Sequence, residues 1–423
     1  MVIFGIIVTA LLFAIGAPVY VGFALGSMII ILLSIGIPLA QLGAMYFGCI
    51  NSFVLIAGAL FVLAGNLMIH SGASKALVNL LSSCVSRIPG GVAIATIITC
   101  TFIGALTGSI TATLAAVGFI MFPAMMDANY TRGYSGSVLC SSANLGVLIP
   151  PSIIFILFGF LTETSVAELF IAGVLPGFVM AALLSIVAIL IAKRREFPLL
   201  EGATWKERGR LFVKALPAIF MPVIILGGIY GGIFTPTEAA AVACIYCIII
   251  GIFVYRELNW TNFWASVKDT VQVAGMILLM IGGGMVLGKA FMLVGFPQAI
   301  CNWVVSMGLS QMAFLLFLAV VFVGLGFFIE GMAMMFITVP LFIPAAAALN
   351  ISLIHLGVIF CIAITIAGIT PPVSVFLYAT SGMFEVKIEE LIREVLPFLI
   401  VMIISLFIVV LFPGISLWLP ETM

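Results

Sequence analysis

Charge is what this chain has least of. Only 7% of its 423 residues are charged, 15 acidic against 15 basic, and histidine occurs twice. A soluble protein carries about 25% charged residues, so this composition cannot build a water-facing surface of ordinary size. The charges balance and no basic cluster is interleaved with aromatics, which excludes nucleic acid as a partner. There is no HExxH motif and no Ser/His/Asp set, so an enzyme is not expected. The eight cysteines are scattered. The single CxxC, Cys244 and Cys247, sits in an apolar segment without a second pair and reads as small packing residues. The opening MVIFGIIVTALL has no basic n-region, so no removable signal peptide is expected.

What is present is apolar sequence, 65% of the chain. Runs long enough to cross a bilayer recur along the whole length, which predicts an all-α polytopic membrane protein. Residues 2–16 and 18–36 read as helices parted at Gly16 and Pro18, and 50–70 as a third. The stretch 74–86 is short and more polar. Residues 94–126 hold two apolar pieces of about 14 to 16 residues, each short for a crossing, around the knot TGSITAT. They predict a re-entrant hairpin with its tip near Gly108 and Ser109. A broken helix is expected over 131–161 and a long one over 167–192. The polar segment 193–214 then divides the chain. Apolar helices follow at 215–232, 236–254 and 270–290, a short polar one at 295–308, a second hairpin at 311–349, a second broken helix at 355–383 and a last helix at 394–414.

The breaks carry the strongest signal. Pro150 and Pro151, and again Pro371 and Pro372, each remove a backbone donor and clash with the preceding turn. Lipid cannot satisfy the carbonyls so freed, and such a break is tolerated only inside protein or beside a polar cavity. The two proline pairs are 221 residues apart, as are Pro123 and Pro344. Two repeats are therefore expected, 1–192 and 215–423, joined by the linker 193–214. Internal repeats with broken helices mark a secondary transporter whose site lies at the repeat interface. By the positive-inside rule, the basic residues of the linker place it in the cytoplasm. Counting outward, Lys75, Arg87, Arg132, Arg256, Lys268, Lys387 and Arg393 fall on the same side, and only Lys289 falls outside. The repeats are then inverted, and both chain ends lie outside.

Helix N-termini suit a carboxylate, and unwound carbonyls with side-chain oxygens suit a hard cation such as Na+. The candidate substrate contacts are Thr107, Ser109, Asn144, Glu330 and Thr370. The candidate Na+ ligands are Gly108, Ser109, Thr111, Asn144, Gly146, Pro150, Glu330, Gly331, Gly368, Thr370 and Pro371. Thr113, Thr338, Thr365 and Ser374 flank them. Membrane Ser and Thr more often bond back to their own helix, which is the competing reading for each hydroxyl. Thr235-Pro236-Thr237-Glu238 reads as a capping box, so Glu238 is assigned to a cap. Glu330 shows no such pattern and is read as functional. His70 and His355 read as interfacial or structural, and Arg132 as a topology anchor.

GVLIPPSI (146–153), GGIFTPTEAAAVA (231–243), FIEGMAMMFITVPLFIPA (328–345) and GITPPVS (368–374) resemble, in order, the large membrane subunit of tripartite ATP-independent periplasmic (TRAP) transporters. The resemblance implies an elevator-type ion-transporter fold. Its mobile part would be 94–126, 131–161, 311–349 and 355–383, framed by arms at 74–86 and 295–308. It further implies Na+-coupled uptake of an organic acid such as sialic acid or a C4-dicarboxylate across the bacterial inner membrane. The partners implied are a small four-helix membrane subunit and a periplasmic binding protein. The first tip departs from the family in reading TGSITAT where a serine-rich run is expected. A stand-alone Na+-coupled dicarboxylate carrier, needing no binding protein, is the alternative.

Overall fold

The computed structural model describes residues 2–84, 89–198 and 204–422. Arg87, the end of the expected arm 74–86 and the linker residues 199–203 lie outside them. The described residues form helices joined by short turns, in the order α1 (Val2–Ala14), α2 (Val19–Ile30), α3 (Leu39–Ile50), α4 (Phe53–His70), α5 (Ala73–Cys84), α6 (Gly91–Thr107), α7 (Ile110–Asp127), α8 (Arg132–Ala143), α9 (Ile153–Thr162) and α10 (Val166–Arg194). After the polar segment come α11 (Trp205–Tyr230), α12 (Pro236–Ile249), α13 (Trp260–Leu293), α14 (Phe296–Ser306), α15 (Gln311–Leu325), α16 (Gly331–Ala348), α17 (Leu353–Ile369), α18 (Val375–Phe384), α19 (Ile388–Leu411) and α20 (Gly414–Glu421). Single π-turns extend α2 and α12.

Eight of these helices are long and apolar enough to cross a membrane. Large apolar side chains stand exposed on the outer faces, Phe253, Phe47 and Leu190 among them, a surface suited to lipid rather than water. The protein is an all-helical polytopic membrane protein.

Helix ends follow local chemistry. Thr235 Oγ1 accepts from the Glu238 amide at 3.3 Å, and the Glu238 carboxylate accepts from the Thr235 amide at 2.8 Å, with Pro236 in the first turn. The capping box expected from sequence is therefore formed. Thr204 and Glu207 make the same box at the start of α11. That start, at Trp205, puts the second half of the expected linker inside a helix. Four further boundaries differ from the sequence reading. An amphipathic α3 precedes α4, where only a connection is expected. Likewise α20 follows α19. Helix α13 begins at Trp260 rather than near residue 270 and runs for 34 residues, about 51 Å at 1.5 Å per residue. The second arms of the hairpins, α7 and α16, have 18 residues each, long enough by themselves to count as spans.

The two halves end their elements in the same way at nearly constant spacing. Asn129, just beyond α7, and Asn350, just beyond α16, are both left-handed and 221 residues apart. Glu163 and Glu385, each closing a short helix after a proline pair, are left-handed and 222 apart. Ser109 and Glu330 are both N-caps, again 221 apart. Arg132 joins the halves: its guanidinium donates to the Phe384 carbonyl at 2.8 Å, at the end of α18. Arg195 does the same at the end of α10, pairing with both oxygens of Glu394 on α19 at 2.8 and 2.9 Å.

Close approach in the hairpin region depends on absent side chains. Gly104 of α6 lies directly on Gly146, and a Cβ on either would strike the other's backbone. Without apolar solvent forces between helices in lipid, such small-residue contacts supply the packing. We expect Gly104→Val to lower the melting temperature of the detergent-solubilised protein by several degrees. Gly209→Ala should do the opposite: Gly209 sits on an exposed turn of α11 with nothing near its missing Cβ, and the gain is about 0.5–1 kcal/mol. Melting curves of the two variants check both signs.

Candidate functional site

The first break begins where α8 gives way to a single 3-10 turn, Asn144–Val147, and ends at α9. The Pro150–Pro151 peptide is cis, as is Pro371–Pro372 in the second break. Buried carbonyls must find donors, and here they find side chains. Ser152 Oγ donates to the Val147 carbonyl, and Cys361 Sγ from α17 donates to the same oxygen at 3.0 Å. Ser152 also caps α9 by accepting from the Phe155 amide. In the second break Ser374 Oγ donates to the Gly368 carbonyl at 2.6 Å and accepts from the Leu377 amide at 3.1 Å. One serine thus mends each break.

The two breaks touch. Asn144, fully buried, lies against Gly368: a Cβ built on that glycine would sit 3.1 Å from Asn144 Oδ1. Asn144 Nδ2 donates to the Cys140 carbonyl at 2.7 Å, yet among the described residues Oδ1 has no hydrogen-bond donor. Ser141 Oγ, one turn earlier and also buried, is likewise unpartnered. Leaving such groups unsatisfied costs about 1–3 kcal/mol apiece. Among the described residues these two oxygens lie at the first break with acceptor capacity unused.

Hairpin one docks on the first break. Gly108 is left-handed, and its turn brings the tip within 3.0 Å, Cβ position to oxygen, of the Pro151 carbonyl. Thr107 and Thr113 share a hydrogen bond of 2.9 Å, Thr113 Oγ1 donates to the Ser109 carbonyl at 2.7 Å, and Thr113 abuts Gly146. Ser109 Oγ caps α7 and lies 3.2 Å from Thr111 Oγ1, which is exposed. Hairpin two docks on the second break in the same manner, Gly326 against Ala367 and Gly331 against Ile364.

Glu330 differs from the sequence reading. Its half-buried carboxylate is an N-cap, accepting from the Met332 and Ala333 amides at 3.0 and 3.2 Å. Among the described residues its hydrogen bonds all go to its own helix, so an acidic residue outside the usual Ser/Thr pattern fills the position Ser109 holds in hairpin one. Several threonines take the competing reading: Thr338, Thr365 and Thr370 each donate to a carbonyl of their own helix at 2.7 Å. Of the expected residues, the structure brings Thr107, Gly108, Ser109, Thr111, Asn144, Gly146 and Gly368 into one neighbourhood, and at the tip it is the Pro151 carbonyl, next to the expected Pro150, that Gly108 meets. Glu330 and Gly331 belong to the second tip, where Gly331 packs on Ile364, one turn before Gly368.

A cavity of about 600 Å³ opens beside hairpin one. Thr107, Ser109 and Thr111 form one wall, and Asn66, His70, Asp269 and Gln272 of α4 and α13 face them. The Asn66 amide is held by Thr270 Oγ1 at 3.0 Å. The sequence reading leaves out Asn66, Asp269, Gln272 and Ser141. Asp269 escapes because α13 starts ten residues earlier than hydropathy places it, which turns an apparent loop residue into one on the third turn of a helix.

The comparisons with known proteins agree in kind. Residues 6–415 match the family model for the tripartite ATP-independent periplasmic transporter, DctM component. The chain is 37% identical to the C4-dicarboxylate TRAP transporter large permease protein DctM of Pseudomonas aeruginosa, over 87% of this chain and 86% of that one. It is 33% identical to the sialic acid TRAP transporter large permease protein SiaM of Vibrio cholerae, over 88% of each chain. To the ectoine TRAP transporter large permease protein TeaC of Halomonas elongata it is 31% identical, over 87% of this chain and 86% of that one. Among solved structures, the YdaH transporter of Alcanivorax borkumensis shares the fold with a TM-score of 0.61 at 14% identity, covering 90% of this chain and 88% of that one. MtrF of Neisseria gonorrhoeae does so with a TM-score of 0.59 at 15% identity, covering 90% and 85%. An interrupted helix pair, two docked hairpins and a family match spanning almost the whole sequence converge: this chain belongs to the large membrane subunits of the TRAP transporters.

Proposed function

We propose that this chain is the permease of a Na+-coupled, binding-protein-dependent secondary transporter that imports an organic acid by an elevator movement. Its halves are read as inverted repeats, each with a re-entrant hairpin and a broken helix. The observation that carries the reading is Asn144 Oδ1, buried and donorless between the two breaks. Oxygens recur in the same stretch of the break: the Ser141 hydroxyl one turn earlier, the Thr113 hydroxyl against Gly146, and the backbone at Gly368 against Asn144 itself. Such a set suits a hard cation without a thiolate or imidazole. Na+ there supplies the positive charge that the cavity lacks. It also ties the tip of hairpin one to the break through Thr107 and Thr113, whose hydrogen bond links cavity wall to break. Asn144, Ser141 and Gly146 hold the ion; Ser109 and Thr111 meet the substrate carboxylate; Glu330 sets the field at the second tip.

The mobile unit is the two hairpins with the two broken helices, and the cavity lies along its border with α4 and α13. The membrane is the bacterial inner membrane, with the 193–214 segment cytoplasmic. A small four-helix membrane subunit braces the scaffold, and a periplasmic binding protein delivers the ligand. The relatives' names, covering C4-dicarboxylates, sialic acid and ectoine, support an organic acid as cargo. The alternative is a stand-alone Na+-coupled carboxylate carrier.

Uptake into proteoliposomes holding this chain and its small subunit is expected only with an inward Na+ gradient and the cognate binding protein. Full-rate uptake of free ligand without that protein would establish the stand-alone carrier instead. In the same assay Asn144→Ala should raise the Na+ concentration for half-maximal uptake by about fivefold, the equivalent of about 1 kcal/mol of lost ion–oxygen interaction. An unchanged Na+ activation curve removes Asn144 from the site.

Glu330 separates capping from transport. Glu330→Ala loses the cap, at about 1 kcal/mol, and should lower the melting temperature. Glu330→Gln keeps an acceptor and should melt near wild type while uptake falls several-fold. Normal uptake by the Gln variant reduces Glu330 to its cap.

A further inference from the structure

The wall of the cavity opposite the hairpin has a charge composition that narrows the cargo. The residues lining the cavity include no lysine and no arginine. Their only ionisable side chains are Asp269 and His70, with His70 Nε2 3.7 Å from Asp269 Oδ2, too long for a hydrogen bond. With a neutral imidazole the wall carries one negative charge, and with a charged one it carries none. In neither state is it positive. Asp269 makes no hydrogen bond among the described residues, and about half of its side chain is accessible. It is an acceptor open to whatever enters. Gln272, one turn further along α13, is exposed to the same space and offers both a donor and an acceptor. Lys268 precedes Asp269, but adjacent residues on a helix point to different faces, and Lys268 does not line the cavity.

Resting on the permease reading, we propose that Asn66, His70, Asp269 and Gln272 form a specificity wall that favours an organic acid with one carboxylate and a cationic or hydrogen-bond-donating second group, and disfavours a dicarboxylate. A carboxylate taken up at the hydroxyl wall of Ser109, Thr111 and the neighbouring ion leaves the far end of the ligand facing Asp269. A second carboxylate there meets a like charge with no basic residue to offset it. An ammonium, amidinium or hydroxyl group meets an unfilled acceptor. Specificity by such repulsion is a difference between ligands rather than a gain for one. Because Asp269 is half exposed, water screens the repulsion, and the discrimination expected is about tenfold rather than thousands-fold.

The test uses the large–small subunit pair purified in detergent, with ectoine as the zwitterionic monocarboxylate and succinate as the dicarboxylate. The readout is Na+-dependent thermal stabilisation, which reports ligand binding to the folded state. Wild type should give an apparent Kd about tenfold lower for ectoine. Asp269→Asn, which is isosteric, should bring the two ligands close to equal. Gln272→Lys adds the missing positive charge, so it should tighten succinate and keeps the test alive should Asp269→Asn fold poorly. Succinate bound as tightly as ectoine by wild type, or a ratio unmoved by both variants, overturns the specificity wall and leaves the permease reading standing. No Na+-dependent stabilisation by either probe likewise overturns the specificity wall, whereas proteoliposome uptake that needs neither Na+ nor the binding protein overturns the permease reading.

Discussion

A helix that stops inside a bilayer must settle its backbone polar groups without water. That constraint shapes the centre of this protein. Each proline pair frees carbonyls, and in each case a serine placed just before the next helix reaches back to one of them while capping the helix ahead. The first break needs more, and takes a thiol from the other half of the chain, Cys361. This donation ties α17 to the first break, while Ser374 mends the second. Helix α17 is buried along nearly its whole length.

Against that background, what is left unsettled carries information. Most hydroxyls around the breaks bond back to their own helices, as membrane threonines usually do. Asn144 Oδ1 and Ser141 Oγ do not. Close by, Gly104 sits on the Gly146 backbone as only glycine permits, and Gly368 lies against Asn144. The halves share spacing but not chemistry. At corresponding tips a serine caps α7 and a glutamate caps α16, and the glycine–glycine contact of the first half is a glycine–alanine contact in the second.

Much of this was legible in the sequence, for a clear reason. Proline acts on the backbone directly, so Pro150–Pro151 and Pro371–Pro372 announce the breaks without any knowledge of packing. The Thr235–Glu238 box is equally local, and was read correctly. What stayed hidden depends on neighbours distant in the chain. Glu330 is a cap through two amides of its own first turn, but acidic caps without a Ser or Thr box leave a weak pattern. Helix α3 is amphipathic and merges with its apolar surroundings, so hydropathy alone did not separate it. Asp269 was placed in a loop because polar residues at the start of α13 dilute its hydropathy. Its position opposite hairpin one comes from the packing of α13 on α4, which no local pattern encodes. Ser141 reads like any other serine in a helix until the partners it lacks are known.

Thr107 is where these features join. It lines the cavity, its hydroxyl bonds Thr113 at 2.9 Å, and Thr113 abuts Gly146, two residues beyond Asn144. One buried residue thus touches both the cavity and a neighbour of the break. An ion at the break and a ligand in the cavity would each restrain the same short tip. A ligand shifts an equilibrium only by its differential affinity for the two states, and a shared restraint supplies that difference to both at once. On the proposed reading, whichever bound first would hold Thr107 to Ser109, and the second would meet a tip already held. Coupling of this kind needs no long pathway through the protein. It needs a tip that both ligands would touch, and the tight turn at the left-handed Gly108 puts Thr107 and Ser109 side by side there.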